Sequence, residues 1–184
     1  MIIKVKKIFC IFFLTCLLIL NLNAQANLSE EEPLKVDVQF LVKLDEENIT
    51  SCELDKMILL SQLQEFQIAV KANQSSFCYV IDETPFGIMF EMFKTALKPD
   101  KTIYMPNSQS WYVLPKPRGK EKLHIIVSPF QLKQLEKNLE SLIRNENSLS
   151  ASGTLKEALE NLTKMSLTEK GADTLFVKTI TVNH

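Results

Sequence analysis

Leu34-Lys35-Val36-Asp37-Val38-Gln39-Phe40-Leu41-Val42-Lys43-Leu44 decides the fold. Leu34, Val36, Val38, Phe40, Val42 and Leu44 fall on one side, and Lys35, Asp37, Gln39, Leu41 and Lys43 on the other. Alternation of this kind is the mark of a β-strand with one buried face. The acidic run Asp45-Glu46-Glu47-Asn48 ends it.

Working toward the C-terminus, the same signal recurs in short pieces. An apolar stretch without a clean period runs from Leu54 to Leu63. Phe66, Ile68 and Val70 then alternate with Gln67, Ala69 and Lys71. Phe77 to Ile81 is a nearly continuous apolar run, which suits a strand covered on both faces. Asp82-Glu83-Thr84-Pro85 reads as a turn of solvated charge, and Phe86 to Met92 as a further strand. Short strands are expected at Thr102–Met105, Trp111–Leu114 and Leu123–Val127. Lys116-Pro117-Arg118-Gly119 has the proline and glycine positions of a type I turn, so the last two strands are expected to pair as a hairpin.

Beyond this point the period changes to that of a helix. Ser128-Pro129-Phe130-Gln131 suits an N-cap, a first-turn proline and a capping box. Leu132, Leu135, Leu139, Leu142 and Ile143 follow as an apolar stripe. Asn145 to Gly153 reads as a loop, and Thr154 with Glu157 as the cap of a second, shorter helix. Leu175 to Val182 is rich in β-branched residues and reads as a final strand. Strands and helices are segregated, which argues against a parallel βαβ sheet. The expected fold is mainly β within the α+β class: an antiparallel β-sandwich of about seven to nine strands, two C-terminal amphipathic helices beside it, and a last strand.

Working toward the N-terminus, Lys4, Lys6 and Lys7 precede an apolar run from Ile8 to Leu20 broken only by Thr15, then Asn21 to Ala26. That is the layout of a signal peptide, expected to be cut after Ala26. The run is shorter than the roughly 20 residues a spanning helix needs. Residues 1–26 are therefore read as a signal peptide, 27–33 as a polar linker and 34–184 as one domain. The expected location is the periplasm or the outside of the cell, with no membrane span after cleavage.

The whole chain carries a net charge of −1, and the expected leader removes three lysines and no acid. An acidic remainder of this kind disfavours nucleic acid as a partner. Cys52 and Cys78 stay in the exported part. Export permits a disulfide between them, and two separate thiols are the alternative.

Ile103-Tyr104-Met105-Pro106, Trp111-Tyr112-Val113-Leu114 and Gly119-Lys120-Glu121-Lys122-Leu123-His124-Ile125-Ile126-Val127-Ser128-Pro129 together resemble the bacterial domain-of-unknown-function family 4384. Phe77-Cys78-Tyr79-Val80-Ile81 stands where that family has a core strand. The resemblance spans roughly Leu60 to Leu135. It implies an exported module of the accessory kind, found beside peptidase-like or kinase-like domains, with no catalytic residues to carry over. The chain departs from the family in one place: Asp82-Glu83-Thr84-Pro85 stands where a glycine-containing turn is usual.

No catalytic or metal-binding motif is visible. His124 and His184 are the two histidines, and neither has a nucleophile or a metal ligand at motif spacing. No glycine-rich phosphate loop occurs. No cofactor is implied. The surface singled out for binding is the expected hairpin, where Lys116, Arg118, Lys120 and Lys122 cluster next to Trp111 and Tyr112. A basic tip on an aromatic base suits a protein or an anionic envelope polymer. The expected role is an exported, non-enzymatic accessory domain, and the alternative is a secreted or periplasmic hydrolase. The two differ in what surrounds His124 and the Asp82-Glu83 carboxylates: a concave pocket with converging polar groups suits an enzyme, a flat or edge-like patch a binder.

Overall fold

The structure is a computed structural model and describes residues 32–61, 63–114, 118–144 and 148–184. The expected signal peptide lies outside them, as do most of the linker and Lys116. Pro33–His184 form one compact unit. Its strands are β1 (Val36–Lys43), β2 (Ile49–Cys52), β3 (Ile58–Leu59), β4 (Phe66–Ala72), β5 (Ser76–Glu83), β6 (Met89–Leu97), β7 (Ile103–Met105), β8 (Lys120–Ser128) and β9 (Phe176–Asn183). Between β8 and β9 come the helices α1 (Lys133–Arg144), α2 (Leu149–Ser166) and the short α3 (Glu169–Ala172). The mainly β reading of the sequence holds.

The strands form two sheets. One runs β2-β1-β4-β7, and the other runs β3-β9-β8-β5-β6. Every pairing is antiparallel except β3 with β9, which is parallel. Phe40, Val42, Phe66, Ile68 and Val70 from the first sheet meet Cys78, Val80, Leu123, Ile125, Ile180 and Val182 from the second in one core. The alternation in β1 is what puts Phe40 and Val42 on this side.

The second sheet is covered on its other face too. Tyr79, Ile81 and Ile126 pack there against Leu135, Leu139 and Leu142 of α1 and Leu155 and Leu159 of α2. The layers are therefore sheet, sheet, helices, and β5 and β8 are apolar on both faces because both faces are covered. A bulge opposite Val80 and Ile81 places Met92 as an extra residue in β6. It brings Met89 into the helical layer while Met92 and Phe93 stay with the inter-sheet core.

Four expectations need correction. Trp111–Leu114 and Leu123–Val127 do not pair as a hairpin. Tyr112 bridges to Phe66 of β4, with backbone hydrogen bonds of 2.8 and 2.9 Å, whereas β8 lies between β5 and β9 in the other sheet. The buried amide of Gln67 donates to the Asn107 and Ser110 carbonyls at 2.9 and 2.7 Å, and so holds the loop that brings Tyr112 to that edge.

The first helix starts at Lys133 rather than at Pro129. Ser128 is still in the ladder, paired with Phe77, and its hydroxyl caps the Phe130 amide instead. The second helix starts earlier than Thr154, because Ser148 is its cap and accepts the Ala151 amide at 3.3 Å. Finally, β6 begins at Met89, and Phe86 is exposed in the turn before it.

Candidate functional site

Asp82 and Glu83 end β5, and neither is a solvated turn residue. They are 1 % and 6 % exposed. As neighbours on a strand they project to opposite faces of the second sheet. Each therefore belongs to a different cluster.

Glu83 points to the helical face. Lys122, its register partner on β8, donates to it at 3.1 Å. Lys156 from α2 donates at 3.2 Å, and His124 Nε2 lies 3.3 Å away. His124 in turn holds Thr179 of β9, with Nδ1 and Oγ1 3.0 Å apart. Burial acts to raise the Glu83 carboxyl, but the two lysines outweigh it and hold the group below the usual range. Burial lowers His124, and the nearby lysines add to this against the pull of Glu83, so the ring is neutral at pH 7.

These side chains open into a cleft of about 400 Å3 between the sheet and α2. Met89 and Leu159 supply its apolar wall, and Lys122, Lys156 and Lys164 surround it, with Glu160 the remaining acid. Lys122 and Lys156 are about half exposed, so both are tied to Glu83 and still open to solvent.

Asp82 faces the inter-sheet core. It stands diagonally across the β5–β8 ladder from Glu121, two residues along from its register partner Leu123 and on the same face; Glu121 is 2 % exposed and accepts His184 Nε2 at 3.0 Å. Burial first, then the Glu121 charge, push the Asp82 carboxyl up to about 8. Asp82 Oδ1 and Glu121 Oε2 have no hydrogen-bond partner among the described residues.

The expected aromatic and basic residues stand on elements of both sheets. Tyr112 packs on Phe66, with ring centroids 5.6 Å apart, and its hydroxyl reaches the Met92 carbonyl. Trp111 lies beside Lys43 of β1, whose ammonium is 6.0 Å from the ring. Lys122 belongs to the cleft, Arg118 and Lys120 are exposed at the start of β8, and Lys116 lies outside the described residues. The aromatics follow the first sheet and the lysines the second, because there is no hairpin to join them. Cys52 and Cys78 are free thiols on different sheets, so the disulfide left open by the sequence is not formed.

Lys156, Lys164 and Thr179 were not legible as site residues. They lie 32 to 57 positions from Lys122 and His124, on elements that only the packing brings together. One signal was available: a carboxylate dipeptide directly following an apolar strand must place one member on each face if the strand continues.

No group of three or more potential metal ligands occurs among the described residues, and none of their helices is long and apolar enough to cross a membrane. Compared with protein-family models, curated proteins and solved structures, the chain matches none.

Proposed function

We propose that this is an exported, non-enzymatic accessory domain that binds an anionic group of a protein or envelope polymer in the cleft above Glu83. The observation that carries the reading is the convergence of Lys122, Lys156 and Lys164 on one cleft with an apolar wall. Its volume lies within the range of ligand sites, roughly 300–1,000 Å3. Lys164 has no ion-pair partner among the described residues, so a ligand would meet one unengaged cation and two half-exposed ones. The resemblance to family 4384 supports the accessory role, and the leader pattern supports export.

The test uses polyglutamate as the probe in calorimetry at low salt. Saturable binding that weakens about tenfold or more in Lys156→Glu with Lys164→Glu supports the reading. Binding unchanged by that pair, or no binding, discards it.

A second reading, a hydrolase, is favoured by one observation: Thr179, His124 and Glu83 stand in hydrogen-bonding sequence, as a nucleophile, base and orienting acid would. Turnover of p-nitrophenyl acetate that disappears in Thr179→Val and survives Lys164→Glu would favour it over binding alone.

A further inference from the structure

We propose that Asp82, Glu121 and His184 form a proton-held latch: one proton shared by the two buried carboxyls keeps the ends of β5, β8 and β9 together, and its removal opens them.

Two carboxylates with almost no exposed surface stand on adjacent strands, and each leaves an oxygen without a hydrogen-bond partner among the described residues. Buried polar groups are normally satisfied, and two unpaired oxygens at one place call for a specific cause. Like charges this close and this dry cannot both ionise at small cost, whereas a shared proton makes one carboxyl a donor to the other.

Among the described residues, little else faces the pair to neutralise a second charge. On β5 the next charge is Glu83, which is acidic and on the opposite face. On β8 Lys120 and Lys122 also project away from Glu121, and Lys122 is taken by Glu83. On β9 His184 faces the pair, while Lys178, on the same side farther along, is held by Asp55. The first sheet presents apolar residues to this core, among them Phe40, Phe66 and Ile68.

The latch closes a definite place in the fold. His184 and Gly119 exchange backbone hydrogen bonds of 3.2 and 3.3 Å beside it, and Gly119 backs onto Pro85 in the turn after β5. Three strand ends therefore meet at the carboxyl pair. When the proton leaves, two anions face each other in an apolar layer, and the strand ends part to let water reach them. The latch does not depend on the cleft having a ligand.

The experiment follows Asp82 by carboxyl 13C NMR and the amides by hydrogen exchange, corrected for intrinsic rates. The Asp82 carboxyl is expected to titrate above pH 6. Protection of the amides of Glu121–Leu123 and Ile180–Asn183 is expected to fall at least tenfold between pH 6 and 9.5 and to end below that of β1 and β4, whose own loss only follows the fall in global stability. In Asp82→Asn that fall disappears. An Asp82 midpoint below 5, protection independent of pH, or strand ends as well protected as β1 and β4 at pH 9.5 would each overturn the latch. If Asp82→Asn does not fold, the titration and exchange of the unaltered protein still decide.

Discussion

Cys78 shows how much a strand position says about a residue and how much it leaves out. Its place in Phe77–Ile81 marks it as a core residue, and it is fully buried. Burial pushes its thiol up to about 12 and also raises Cys52, so neither is a reactive thiolate at neutral pH. Both should remain unlabelled by iodoacetamide far longer in the folded protein than in urea. Two free thiols should titrate in urea without reductant, and one disulfide instead would contradict the structure.

Asp82 and Glu83 are the opposite case. Side-chain type suggested a turn, but the β5 ladder extends through them to Lys122 and Leu123. Neither the proton held by Asp82 nor the lysines on Glu83 can be read from a dipeptide, because each depends on which strand and helix arrive opposite.

At the level of elements, α2 is seated by a hydrogen bond as well as by its leucines. Ser152 is 2 % exposed, and its hydroxyl accepts the Met89 amide at 3.0 Å where β6 begins. Ser152→Ala improves helix propensity but leaves that buried amide unsatisfied. It should lower stability by about 1–3 kcal/mol in urea unfolding, whereas exposed Ser150→Ala should stay within about 0.5 kcal/mol.

Tyr79 does the same for α1: its hydroxyl donates to Glu136 at 2.9 Å and accepts the Leu132 amide at 3.2 Å. The leucine stripes of both helices were legible from their period. Their starting points were not, because Ser128 can cap a turn from inside a strand as readily as it caps a helix, and Ser148 competes with Thr154 six residues later.

Across the whole molecule, Asp82 and Glu83 act on stability with opposite signs. Glu83 is lowered in the folded state, so its contribution is present above its ordinary value of 4.5 and is lost as pH falls through the folded value. Asp82 is raised from 3.8 to about 8, so its contribution is complete below 3.8 and is lost progressively as pH rises to 8. Glu83 therefore shapes the acid limb of the stability curve and Asp82 the alkaline one. The alkaline limb should fall by up to about 1.4 kcal/mol per pH unit for one proton. Urea midpoints between pH 3 and 9 check this: Glu83→Gln should flatten the acid limb and Asp82→Asn the alkaline one.

The sequence by itself determined that this chain makes two kinds of element in order, short strands first and amphipathic helices after, with a last strand to close. Those choices follow from side-chain period, which is local. It also determined that Phe77–Ile81 would be covered on both sides. Only the tertiary structure decided that β8 enters the second sheet rather than turning back on Trp111–Leu114, and that β9 runs between β3 and β8. It alone brought Glu83, Lys122, His124, Lys156 and Thr179 around one cleft. The physical reason is that strand pairing is settled by which two oily faces can be buried together, and that competition is between segments tens of residues apart.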